Sequence, residues 1–182
     1  MRDITFEPGL AKRIQKQYRM EKPPVNLTEL IEFAKAQVLA TSGGREWVAS
    51  IREGKVAIGE TDTDRGHSIV SSDGREVKVM CGYDALRTTL LRGKGLVKAT
   101  CFHCGEKMEI QIEDGELVRA SHPSILFWIG DGLKGIPFCD HYNFFPNQKH
   151  IDGWLETNPE ELGVVLSLDE AMEFLKLSHE GL

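Results

Sequence analysis

Between residues 67 and 128 the sequence is cut into short apolar runs separated by turn signals, and this constrains the fold more than any other feature. Strands are expected at His67–Ser71, Val77–Met80, Leu96–Cys101, Met108–Ile112, Leu117–Ala120 and Ile125–Trp128. Asp73-Gly74 and Asp114-Gly115 lie between them. They read as hairpin turns because tight antiparallel connections need positive φ, which Gly and Asp tolerate. Helical spacing appears from near Cys81 to Leu91, over about Gln148–Glu156, and after Ser167, where Ser167 and Glu170 form a capping box. The expected fold class is α+β, a mostly antiparallel sheet core with flanking helices.

The first 45 residues read differently. Residues 7–20 suit a short helix, with Pro8 in its first turn and Leu10, Ile14 and Tyr18 at i, i+4, i+8. After Pro23-Pro24, Asn26 and Glu29 make a second capping signal, and Leu27, Leu30, Ile31, Ala34 and Val38 form one apolar face. Thr41-Ser42-Gly43-Gly44 marks a boundary. The expected division is a helical N-terminal lobe over 1–45 and an α+β core over 46–182. A hairpin at 46–60, turning at Glu53-Gly54 although Trp47–Ile51 also suits a helix, would make the lobe resemble a reduced winged helix. That outline alone does not imply DNA binding.

Charge argues the same way. The 182 residues carry 22 Lys+Arg against 28 Asp+Glu, a net charge of −6, whereas duplex binding needs clustered cations. No apolar run approaches the ~20 residues that span a bilayer. MRDITFEPGL lacks the basic-then-apolar plan of a signal peptide. The expectation is a cytoplasmic protein with neither nucleic acid nor membrane as partner. No phosphate-binding loop stands out, since Arg92-Gly93-Lys94-Gly95 reads as a turn between a helix and a strand.

The chemistry lies with four cysteines, Cys81, Cys101, Cys104 and Cys139. So few in a chain of this length are not a disulfide scaffold, and in a reducing compartment they point to metal binding or catalysis. Cys81 ends a strand-like run (EVKVM) and begins a helical one, so it sits at a helix N-terminus, where free N–H groups favour thiolate. Asp84, three residues on and about 60° around the helix, faces the same side. A thiol beside a carboxylate is a proton-transfer pair. The structural alternative is that Asp84 caps the helix while Cys81 is merely buried. Cys101-Phe102-His103-Cys104-Gly105 is half of a zinc site. Cys139 and His141, in Phe138-Cys139-Asp140-His141, offer a second half.

CGYDAL at 81–86, VKATC at 97–101, FCDHYNFF at 138–145 and Trp154 followed by GVVLSLDEAMEF at 163–174 resemble, in order and setting, the organomercurial (alkylmercury) lyase family. By that resemblance Cys81 and Asp84 match the first catalytic cysteine and the catalytic aspartate, Cys139 matches the second cysteine, and Cys101 matches a structural one. The implied activity is protonolysis of a carbon–mercury bond, giving a hydrocarbon and Hg(II) held on Cys81 and Cys139. No organic cofactor is implied. The implied partners are a small organometallic substrate and soluble thiols or another mercuric-ion acceptor, in a detoxifying, mercury-resistance role. The chain departs from the family pattern in carrying Cys104 and in a shortened or rearranged N-terminal lobe. Two other readings compete: a zinc-binding structural or regulatory protein using Cys101, Cys104, Cys139 and His141, and a non-catalytic thiol module that sequesters metal. Asp84 discriminates, because protonolysis needs a proton carrier beside a thiol and a zinc site does not.

Overall fold

The structure, a computed structural model, describes residues 4–40, 44–130 and 141–179. Six helices and eight strands lie within them. The order is α1 (Pro8–Tyr18), α2 (Leu27–Ala40), α3 (Gly44–Arg52), β1 (Ser68–Val70), β2 (Glu76–Lys78), α4 (Gly82–Arg92), β3 (Gly95–Thr100), β4 (Lys107–Glu113), β5 (Glu116–Ala120), β6 (Leu126–Gly130), β7 (Tyr142–Phe145), α5 (Gln148–Thr157), β8 (Gly163–Ser167) and α6 (Leu168–His179).

The strands form two sheets, a five-stranded one in the order β2-β1-β3-β4-β5 and a three-stranded one in the order β7-β6-β8. Every pairing is antiparallel. The expected α+β class is the observed one. Asp114 (φ 52°) and Gly115 (φ 73°) make the β4–β5 turn with two successive positive φ angles. The capping signals act as read. Asn26 Oδ1 accepts the Glu29 N–H at 3.0 Å, and the Glu29 carboxylate accepts the Val25 N–H at 2.9 Å. At α6 the Ser167 and Glu170 backbone N–H groups each donate to the other's side chain, at 2.8 and 3.2 Å.

The hairpin expected at 46–60 does not form. Val48 and Ile51 are buried on one face of a helix, α3, which packs on α4. Gly54 (φ 75°) ends that helix rather than turning a hairpin. Its N–H donates to Ile51 O and the Lys55 N–H to Ser50 O, both at 3.0 Å, the paired bonds of a Schellman cap. Arg92 also donates to Ile51 O at 3.4 Å and to Val56 O at 2.9 Å, fixing the exit from α3. The winged-helix resemblance therefore loses its wing. The Thr41–Gly43 part of the expected boundary lies outside the described residues.

One core cluster runs from Phe6 in the N-terminal segment to Leu175 in α6. Helix α4 lies within it, against β1 and β3 of the larger sheet and β7 of the smaller one. That places the N-terminus of α4 where the two sheets meet.

Candidate active site

The chain reaches Cys81 from β2 and enters α4 at once. Cys81 is the N-cap in extended backbone (φ −155°, ψ 172°), its carbonyl accepting the Ala85 N–H at 3.1 Å. Cys81 is 1% exposed and Asp84, in the first turn, 7% exposed. Two glycines make this burial possible. A Cβ on Gly82 would meet two carbons of the Phe144 ring at 2.8 Å and the Tyr142 carbonyl at 3.3 Å, so only glycine lets α4 lie this close to β7. A Cβ on Gly59 would meet Asp84 Cγ at 2.7 Å. Gly59 is set there by a Met80 N–H bond to its carbonyl at 2.9 Å and by the Ile58 N–H bond to Thr88 Oγ1 at 2.9 Å. Thr88 stands one turn beyond Asp84 on α4, so the helix itself positions the segment that covers its carboxylate.

Three tyrosines surround this end of α4. The Tyr83 and Tyr142 rings are 5.4 Å apart, and the Tyr142 and Tyr18 hydroxyls share a hydrogen bond at 2.8 Å. Burial pushes the Tyr18 phenol up to about 12, against a lowering by its bond to Tyr142. Burial raises Tyr142 well above the usual phenol range, with the neighbouring Tyr18 adding to it and the charge of Cys81 contributing last. Tyr83 is also raised by burial, opposed by Arg87 and reinforced by the negative charges of Asp84 and Cys81. Tyr83 thus feels both members of the pair, and Tyr142 feels Cys81. Arg87 spans the rings of Tyr83 and Trp47, 5.7 Å from each centroid.

Cys139, Asp140 and Phe138 lie outside the described residues. Strand β7, which begins three residues after Cys139 in the sequence, is the strand packed on the N-terminus of α4. Phe144 of that strand reaches Gly82, whereas the Trp128 ring sits against Trp154, with centroids 5.7 Å apart.

His141 does not join Cys101 and Cys104 as the zinc reading expected. It is buried, with Nδ1 2.9 Å from the Glu161 carboxylate. The imidazole that does reach Cys101 and Cys104 is His150, in the first turn of α5. Sequence spacing did not single it out, because 46 residues separate it from Cys104. Gly59 was missed for the same reason, although its positive φ of 63° marks a position that favours glycine.

The sequence model of the MerB alkylmercury lyase family matches residues 61–178. The crystal structure of the mercury-bound form of MerB2 matches with a TM-score of 0.58 and 18% identity, over 94% of this chain and 89% of that chain, a likeness of fold. No curated protein matches the chain. The family match covers Cys81, Asp84 and the strands and helices that bury them, and extends over well more than half the sequence, so the chain belongs to the alkylmercury lyases, enzymes that cleave the carbon–mercury bond.

Proposed function

We propose that Cys81, Asp84 and Cys139 carry out this cleavage. The observation that supports the assignment most is a buried thiol at the N-cap of α4 and a buried carboxylate in its first turn, packed through Gly82 on the strand that follows Cys139. Thiolates are the soft ligands that suit mercury, and the N–H groups at the start of α4 favour a thiolate at Cys81. One of the two cysteines captures R–Hg⁺ as a thiolate. The other thiol passes its proton to Asp84 as its sulfur joins the metal, and the added electron density weakens the carbon–mercury bond. Asp84 then delivers that proton to carbon. RH leaves, and Hg(II) remains on two sulfurs until soluble thiols remove it.

Tyr83 and Tyr142, held neutral where a thiol ionises, exclude water without competing as bases. Proximity supplies much of the rate, since the proton donor is held against an otherwise inert bond. No disulfide joins the described cysteines, which suits a reducing, cytoplasmic setting and a detoxifying role in mercury resistance. Among the described residues no helix is long and apolar enough to cross a membrane.

The test is to incubate the reduced protein with phenyl- or methylmercury and excess thiol and to measure benzene or methane. Hydrocarbon is expected well above the thiol-only control, and its absence would overturn the reading. Asp84→Ala should abolish release while mercury binding persists. An active Asp84→Ala protein would remove the aspartate from the mechanism.

A further inference from the structure

The turn between β3 and β4 and the first turn of α5 bring two thiols and an imidazole together. The chain leaves β3 through Cys101-Phe102-His103-Cys104-Gly105, and the Cys101 N–H bonds Glu106 O while the Gly105 N–H bonds Cys101 O, both at 2.8 Å. Gly105, at φ 76°, permits the tight return. Burial pushes the Cys101 thiol up, opposed only in part by the backbone N–H groups of Cys104 and His103. From the other side Asn147 caps α5, its Oδ1 accepting the Lys149 N–H at 3.0 Å. This orients the first turn so that His150 Nδ1 lies 3.2 Å from Cys104 Sγ and 3.7 Å from Cys101 Sγ.

All three ligand atoms lie within 4.8 Å of one another. A tetrahedral zinc ion with ordinary Zn–S and Zn–N bonds has ligand–ligand edges of about 3.5–3.8 Å, so a small side-chain adjustment would place these atoms on one ion. The other ring nitrogen of His150 faces the Glu106 carboxylate at 3.9 Å, and that carboxylate also takes His122 Nε2 at 2.8 Å. At 3.9 Å this is not a hydrogen bond, but a small side-chain movement would make the one that fixes a ligating histidine's tautomer and raises its basicity.

We propose that Cys101, Cys104 and His150 bind one zinc-class divalent ion, with solvent or a small exogenous ligand at the fourth position. The donor set of two thiolates and one imidazole suits zinc. Binding releases two thiol protons and leaves the ion bonded to two thiolate sulfurs and a neutral imidazole. The site shares no residue with the proposed reaction. It ties the β3–β4 turn of the larger sheet to α5, the helix that follows β7 of the smaller one, so its role is to staple the two sheets.

The full reduced chain, loaded with zinc alone and desalted, should retain about one equivalent. Cobalt(II) in its place should give sulfur-to-metal charge transfer and the intense visible bands of a tetrahedral site. Cys104→Ser and His150→Ala should each weaken binding by at least about tenfold, whereas Cys81→Ala should keep the full equivalent. Cys104 is exposed and His150 partly so, and neither change opens the core. A chelator should lower the melting temperature of the wild type and leave Cys104→Ser unchanged. Absent zinc and cobalt uptake, or uptake unaltered by both ligand substitutions, would overturn the site whatever the outcome of the hydrocarbon assay. A melting temperature indifferent to chelator would overturn the stapling role.

Discussion

At Gly59 the backbone lies so close to the Asp84 carboxyl group that a Cβ would meet its Cγ at 2.7 Å, and φ there is 63°. Alanine at this position would be strained and would also push the carboxylate from its place. Gly59→Ala is therefore expected to cost ~1–3 kcal/mol in chemical denaturation and to reduce hydrocarbon release further than that loss of folded protein explains. Unchanged specific activity would mean that Asp84 tolerates displacement. His67 offers a second residue-level prediction. It is buried, its Nε2 is 3.2 Å from Asn143 Oδ1, and burial lowers its pKa to about 4, opposed by that hydrogen bond. The native state therefore refuses a proton that the unfolded chain accepts below the ordinary histidine value of 6.5. Stability is fully present above about pH 6.5 and is lost progressively down to about pH 4, by roughly 2–4 kcal/mol in all. Denaturant titrations across that window should show a shallower pH slope for His67→Gln than for wild type. An equal slope would show that His67 does not carry the effect. The placing of Cys81 and Asp84 at the start of α4 was legible because their relationship is local, one helical turn. His150 and Gly59 act across the fold, on partners that no local spacing reveals.

Helix α4 meets β7 through the missing side chain of Gly82. Gly82→Ala would drive a methyl group into the Phe144 ring, so the helix must withdraw from the strand. A loss of ~1–3 kcal/mol is expected, with hydrocarbon release falling as well, because the same contact sets Cys81 against β7. Full activity in a destabilised variant would separate the contact from the chemistry. The caps of α2 and α6 were readable because both partners sit three residues apart and act before any tertiary structure is needed. The segment 46–60 was misread because Gly after Glu53 serves a hairpin turn and a helix C-cap equally well. Only burial of Val48 and Ile51 against α4 decides between them. Strand β8, Gly163–Ser167, was not anticipated as a strand. Its apolar run is short, and its pairing with β6 depends on a partner more than thirty residues earlier.

The helices of the N-terminal segment and the two sheets share one core, in which Phe6, Leu27, Ile31, Phe144 and Leu175 belong to a single buried cluster. Tyr18 of α1 bonds Tyr142 of β7, and α2 packs on α6. The whole chain should consequently melt in one transition, with the calorimetric and van't Hoff enthalpies in agreement. A separate early transition assigned to residues 1–45 would show instead that the helices are an independent lobe. The overall class was legible because alternation and Asp-Gly turns are written along the strands themselves. The way the sheets close around α4 was not, since it depends on glycines whose role appears only when two elements touch. A sulfur as deeply covered as that of Cys81, 1% exposed, also keeps its own clock. On the proposed reaction, R–Hg⁺ reaching Cys81 is expected to wait for the packing around that sulfur to open, so its labelling should level off with reagent concentration while that of the exposed Cys104 keeps rising.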